Sequence, residues 1–236
     1  MIDQYSKYFK NRGVDNCRSG KMTLDATLKS LMPTDKDARI LEIGCGFGNC
    51  LSLLMVNGYG NVVGVDISDE AIEKCLEKGL MVSKISDLTE LGSYSEKDRY
   101  DLILMIHVLE HFQKERIIDT LKYIKKELLK KSGSLYIVVP NAQSNTGSYW
   151  AYEDFTHSTI FTAGSLSFVL RTAGFDEVIF LDPKGTGGLP IHKRIFVNIF
   201  LKLYALKLDF WNKVTSSHYH RPSPRIYTYE IKALAR

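Results

Sequence analysis

The chain has little of what marks secreted, membrane-spanning or unstructured proteins. Its four cysteines, Cys17, Cys45, Cys50 and Cys75, show no C-x-x-C pairing, which argues against a disulfide frame or a cysteine zinc site. They read instead as small reduced hydrophobes in a cytoplasmic protein. No stretch of about 18 uncharged apolar residues occurs, so no spanning helix is expected. The opening Met1-Ile2-Asp3-Gln4-Tyr5 is polar and lacks the apolar core of a signal peptide. Internal repeats and low-complexity blocks are also missing. The 236 residues are 44% hydrophobic and 25% charged, enough for one α/β domain of ordinary size with appended elements.

An even spread of charge is missing too. Beyond position 183 there are ten Lys/Arg and two Asp/Glu, a local +8 within a chain whose net charge is only +4. A basic end on an acidic body points to an anionic partner or to a solvated surface, and both readings stay open. Basic residues are not interleaved with aromatics along the expected catalytic face, so a nucleic-acid partner is not expected.

Strand-like and helix-like segments alternate. Strands are expected at 39–43, 61–66, 81–85, 100–106, 134–139, 176–182 and 225–235, and helices at 48–57, 71–78, 114–130 and 165–173. The continuous apolar run of 100–106 is typical of a strand buried on both faces of a parallel sheet. Before residue 38 lies a leader in which Ser19-Gly20-Lys21 opens a helix and Pro33 closes it. The alternation predicts a doubly wound, Rossmann-like α/β sheet over 38–182. Residues 141–161 form an irregular insertion after a strand's C-terminal end, where substrate loops sit in such sheets. Residues 183–236 are a basic, apolar extension packed on the same domain.

The most informative segment is Ile40-Leu41-Glu42-Ile43-Gly44-Cys45-Gly46-Phe47-Gly48, followed by Val62-Val63-Gly64-Val65-Asp66. The spacing puts a glycine turn and a carboxylate at neighbouring strand ends of one βαβ unit, an arrangement suited to an adenosine-containing ligand. Asn49 stands where a dinucleotide fingerprint has its third glycine. The E-x-G-x-G-x-G run followed by V-G-V-D-x-S instead resembles the signature of class I S-adenosylmethionine-dependent methyltransferases. The resemblance covers about residues 38–182 and implies an antiparallel last strand.

It also implies a cofactor site. The turn Glu42, Gly44, Cys45, Gly46 would hold the methionine portion, with Glu42 supplying negative charge. Asp66 would hold the ribose, Ile67 would lie beside adenine, and Asp87 with the Leu88 N–H would meet the adenine amino group. Ile106 and His107 would face the methionine end. Read alone, Asp87 has a turn cap as its alternative reading, against which its position relative to Asp66 counts.

Methyl transfer to a hydroxyl needs a base or a metal to deal with the proton. Two histidine groups qualify. In His107-Val108-Leu109-Glu110-His111 the i, i+3 and i+4 spacing would put three polar side chains on one helix face. In Asp154-Phe155-Thr156-His157 the carboxylate could orient the imidazole. We read His157 as base, Asp154 as its orienting partner and His111 as a further catalytic candidate. The D-x-T-H run, with Phe161-Thr162 and Ala173-Gly174-Phe175, resembles methyltransferases encoded beside bacterial polysaccharide and sugar-modifying enzymes. His107, Glu110, His111 and His157 also resemble the E-x-x-E-H-plus-histidine sets of metal-dependent O-methyltransferases. His107 replaces the first glutamate there, so a divalent metal is conceivable but not favoured, and magnesium least of all.

The segment 190–214 is apolar nearly all round, yet carries Lys193, Arg194, Lys202, Lys207 and Lys213. A core or dimer-interface helix is one reading. The other is an interfacial helix near an inner membrane face or a lipid-linked glycan. His220, Arg221 and Arg225 are candidates for meeting a substrate phosphate. The expected activity is S-adenosylmethionine-dependent O-methylation of a sugar or sugar-derived acceptor in surface glycan assembly, with S-adenosylhomocysteine as product. A quinone-like or other hydroxyl or amine acceptor is the alternative, and a cofactor-binding protein without catalysis is a third. A sugar predicts a polar pocket with Tyr149, Trp150 and Tyr152, a quinone an apolar one.

Overall fold

The computed structural model describes residues 24–92, 96–220 and 223–236. Its elements in chain order are α1 (Ala26–Leu31), β1 (Ile40–Ile43), α2 (Asn49–Val56), β2 (Val62–Asp66), α3 (Asp69–Glu77) and β3 (Val82–Lys84). Then come β4 (Tyr100–Ile106), α4 (Lys114–Tyr123), β5 (Leu129–Pro140), α5 (Gly147–Glu153), α6 (Ala163–Thr172), β6 (Val178–Leu181), α7 (Ile191–Val214) and β7 (Glu230–Ala235). The sheet order is β3-β2-β1-β4-β5-β7-β6, with β7 antiparallel to both neighbours. The strand order reverses between β1 and β4, the switch point outside whose carboxyl ends such sheets bind ligands.

The central strands are apolar because helices cover both faces of the sheet. Leu41, Ile103, Met105, Ile137 and Val139 belong to one core cluster, and Ile40, Leu102, Leu104, Tyr136 and Val138 to the other. Alternate residues of each strand thus feed opposite layers, as a period of two requires.

Several boundaries differ from the sequence reading. The leader helix is capped by Asp25, whose side chain accepts from the N–H groups of Thr27 and Leu28; Ser19-Gly20-Lys21 and Cys17 lie outside the described residues. The helix expected over 114–130 ends in a π-helical turn at Ile124–Leu128, and β5 begins directly at Leu129. Gly133 is therefore not in a turn before the strand. It lies within β5 near a register shift opposite Tyr100, where a Cβ would come within 2.8 Å of the Tyr100 carbonyl oxygen. The last strand is shorter than expected, since residues 225–229 are irregular although Ile226 and Tyr227 are buried. The insertion is not wholly irregular, for it contains α5.

The helix α7 overturns the core reading of 190–214. None of its 24 residues is buried. No helix among the described residues is long and apolar enough to cross a membrane.

Candidate functional site

The glycine turn joins β1 to α2. Gly44 has φ +73°, and a Cβ there would lie 2.4 Å from a methyl carbon of Val108. The turn can pack against the end of β4 only without a side chain at this position. Gly46, at φ +50°, differs: a Cβ there meets no protein atom within 4 Å. Its flank is open space beside the backbone, the cradle that a ligand needs. The Gly46 N–H donates to Asp66 Oδ2 at 2.8 Å, and Asp66 Oδ1 accepts from Ser68 at 2.9 Å. Asp66 is thus fixed at the mouth of β2 facing the turn, with Ile67 exposed next to it.

Glu42 is buried beneath this turn, and its Oε2 lacks a hydrogen-bond partner. Burial pushes its carboxyl up to about 8, opposed in part by a bond with Cys50 and reinforced by the Asp66 charge. Near neutral pH it is mostly protonated, which corrects the expectation of a standing negative charge. Burial likewise pushes the Cys45 thiol up.

Asp87 sits past β3 and caps the short helical turn Leu88–Leu91 in a capping box with Glu90. One carboxylate oxygen takes the N–H and hydroxyl of Thr89, and the other pairs with Arg116. Those bonds, first from the Thr89 backbone and then from Arg116, hold its carboxyl below the usual range.

At the end of β4 the chain does not form the helix face expected for 107–111. His107 adopts φ +55°, and only Leu109–His111 makes one 3₁₀ turn. The side chains meet nonetheless. Glu110 is fully buried and neither carboxylate oxygen has a hydrogen-bond partner. His107 Nδ1 lies 3.4 Å from Glu110, and its Nε2 3.2 Å from Glu230 on β7. Burial opposes a charge on His107, but the two carboxylates outweigh it and push the imidazole up to about 9.

The insertion brings His157 to the same place. The N–H groups of Ser158 and Thr159 donate to the Glu110 carbonyl at 2.8 and 3.1 Å, docking the loop on the 3₁₀ turn. His157 is oriented by the Trp150 carbonyl, which accepts from Nδ1 at 2.7 Å. Asp154 is not its hydrogen-bonded partner: it lies 3.7 Å from Nε2 and accepts the Thr156 N–H and hydroxyl through Oδ1. The Thr156 oxygen, 2.9 Å from His111 Nδ1, then accepts from that ring. Both histidines spend Nδ1 on the protein, and His157 Nε2 faces carboxylate oxygens of Asp154 at 3.7 Å and Glu110 at 4.0 Å. Burial pushes the His111 imidazole below its ordinary range. Ligand atoms of Glu110, His111 and His157 all lie within 4.8 Å of one another, and the two rings are 4.7 Å apart.

Sequence reasoning missed Trp150 as an orienting carbonyl, Thr156 as a relay and Glu230 as a partner of His107. Thr156 lay inside a motif already singled out; Glu230 is 123 positions from His107 and left no local signal. Asn141 was also missed. Its buried amide donates to the carbonyls of Ile226 and Thr228 at 2.8 Å each, tying the insertion to the segment before β7. Arg225, expected to meet a phosphate, is held by Asp209 at 2.5 Å and by the Tyr227 hydroxyl. Arg221 lies outside the described residues.

A family model described as a methyltransferase domain matches residues 18–179. The chain belongs to this methyltransferase family. Its fold is similar to that of a SAM-dependent methyltransferase from Archaeoglobus fulgidus, with a TM-score of 0.61 at 24% identity, covering 89% of this chain and 91% of that one. Among curated proteins, a ubiquinone biosynthesis O-methyltransferase of Shewanella pealeana is 31% identical over 77 residues, covering 31% of this chain and 32% of its own length. A protein named metalloprotease MJ0996, from Methanocaldococcus jannaschii, is 35% identical over 119 residues, or 44% of this chain and 25% of its own length. The chain thus spans a quarter to a third of the length of these two curated relatives. The methyltransferase domain takes S-adenosylmethionine as its cofactor, and the open flank of Gly46 beside Asp66 fits that nucleoside.

Proposed function

We propose that the methyltransferase transfers a methyl group from S-adenosylmethionine to a hydroxyl of a polar, sugar-like acceptor, with His157 as general base. One observation carries this reading: His157 and His111, each held through Nδ1, gather with the buried Glu110 carboxylate within 4.8 Å at the strand end that packs on the glycine turn. A base there is within the reach of the methyl donor, and Trp150 and Thr156 keep each ring in the tautomer a base requires. In this reading Asp66 binds the ribose, Ile67 flanks adenine, Leu88 offers its N–H, and Ile106 and His107 border the methionine end. Asp87 would reach adenine only alongside its bond to Arg116. The cofactor supplies an activated methyl group for in-line displacement; the chain supplies alignment and a place for the acceptor's proton.

Acceptor polarity is supported by a cleft of about 390 Å³ next to Glu230, whose lining includes Asp25, Asp182, Lys184, Tyr229 and Lys232. Those charged groups offer hydrogen-bond partners to a polyol, beside an apolar wall from Val197 and Leu201. The exposed Tyr149 and Tyr152 of α5 would flank the acceptor. A screen of nucleotide sugars and glycan termini with labelled cofactor tests the proposal. Methylation of quinone-like phenols with none of the sugars would overturn the acceptor class.

A second reading is favoured by the fully buried Glu110 carboxylate grouped with His111 and His157. One carboxylate and two imidazoles make a donor set suited to zinc or manganese rather than magnesium. A divalent ion held by Glu110, His111 and His157 would lower the pKa of an acceptor hydroxyl and so ease loss of its proton. Running the same screen with and without chelator separates the two readings.

A further inference from the structure

The helix α7 presents two unlike faces. Successive residues turn by about 100°, so Val197, Leu201, Tyr204 and Leu208 share one side. These four are half-buried against the body, with the Tyr204 ring 5.5 Å from that of Tyr227. The opposite side carries Ile195, Phe196, Ile199, Leu203, Leu206 and Phe210, every one more than half exposed. That stripe runs the length of a helix of 24 residues, about 36 Å at about 1.5 Å per residue. Lys202 and Lys213 edge it on one rim, Lys193 and Lys207 on the other. Asp209 is the helix's single acid, and it is turned inward to Arg225.

We propose that α7 lies flat on an anionic lipid bilayer, with its apolar stripe in the acyl–headgroup boundary and its lysines among the lipid phosphates. An apolar face bordered by lysines and bearing phenylalanines, without the hydropathy to span, is the composition of an interfacial helix. A second copy of the chain fits this face less well. Two such stripes packed together would bring lysine rims against lysine rims with no outward acid to meet them. An anionic headgroup layer supplies that charge. The inner face of the same helix, through Val197 and Leu201, lines the cleft beside Glu230. A bilayer at α7 therefore lies next to the proposed acceptor cleft. The inference does not depend on which acceptor is methylated, and its test involves no methyl transfer.

The test is vesicle flotation of the full chain. Vesicles of phosphatidylcholine alone are compared with vesicles of equal phosphatidylcholine and phosphatidylglycerol, at low and high salt. The expected result is flotation with the anionic vesicles only, reduced by high salt as exposed charges are screened. The double variant Leu203→Glu/Phe210→Glu should lower recovery about tenfold or more. Lys202→Glu/Lys207→Glu should remove the preference for anionic lipid. Circular dichroism and thermal unfolding of both variants verify that they fold, as substitutions at exposed positions should allow. Failure of the wild-type chain to float would overturn the proposal, as would equal flotation of the Leu203→Glu/Phe210→Glu chain once it is shown to be folded. A stable dimer in sedimentation velocity that the same double variant dissociates would overturn it too, by assigning the stripe to a second copy.

Discussion

Two glycines two positions apart should fail in different ways when given a methyl group. Gly44 and Gly46 both hold left-handed backbone, at φ +73° and +50°. A Cβ in that region costs about 1–2 kcal/mol at either site. At Gly44 the added carbon also lands 2.4 Å from Val108, an overlap that must displace the end of β4 and costs about 1–3 kcal/mol more. At Gly46 the carbon meets nothing. Gly44→Ala should therefore destabilise the free protein by about 2–5 kcal/mol and Gly46→Ala by about 1–2 kcal/mol.

For a domain of this size each kcal/mol moves the midpoint of thermal unfolding by about 2–4 °C. The two variants should then differ by roughly 2–12 °C in the absence of cofactor. Binding should rank the other way relative to stability. Gly46→Ala places its methyl in the flank proposed to receive the cofactor, so calorimetry should show S-adenosylhomocysteine affinity down by at least about tenfold at a modest cost in midpoint. Differential scanning calorimetry and titration on both variants give the answer. Equal midpoints together with unchanged affinity for Gly46→Ala would refute the assignment of that open flank to the cofactor.

Other outcomes follow from the same geometry. Asp66→Ala should weaken cofactor binding at least about tenfold by titration calorimetry, since the proposed ribose site loses its acceptor. His157→Ala should cut methyl transfer by about 10²–10⁴ with cofactor affinity unchanged, the range for losing a general base; near wild-type turnover would move the role to His111. Glu42 is an acid whose folded pKa, about 8, lies above its ordinary 4.5. Its contribution to stability is fully present below about pH 4.5 and lost as pH rises through 8. Glu42→Gln should flatten that fall in a thermal-unfolding series, and an unaltered profile would count against the buried proton.

The glycine turn and the aspartate at β2 were legible because each depends on residues close together in sequence. Gly44, Gly46 and Asp66 fall within one βαβ unit, and backbone freedom with strand-end spacing is enough to read it. Boundaries failed where tertiary packing decided. The start of β5 at Leu129 depends on a register shift opposite Tyr100, a partner 29 positions away that no local pattern reports. Asp154 faces His157 Nε2 at 3.7 Å, beyond hydrogen-bond distance, for a different reason. Spacing of three in a loop does not fix side-chain direction as it does on a helix, and the Thr156 N–H and hydroxyl captured the carboxylate first.

The end of β4 carries the same lesson into chemistry. A regular helix through 107–111 would have set His107, Glu110 and His111 side by side on one surface. The left-handed His107 and the single 3₁₀ turn instead send Glu110 into the core and leave His107 between Glu110 and Glu230. Holding a non-glycine residue at φ +55° costs about 1–3 kcal/mol, a cost that surrounding structure must offset. Here the two carboxylates do so by keeping His107 as an imidazolium, with its pKa raised to about 9. This contribution is complete below the ordinary histidine value of 6.5 and fades as pH rises through about 9. His107→Gln should therefore remove a stabilising step seen between those values and release the 3₁₀ turn that positions His111. A variant whose unfolding midpoint tracks the wild type across that range would show that the strained backbone is sustained by packing alone, and that the charged pair of carboxylates around His107 serves only the ligand.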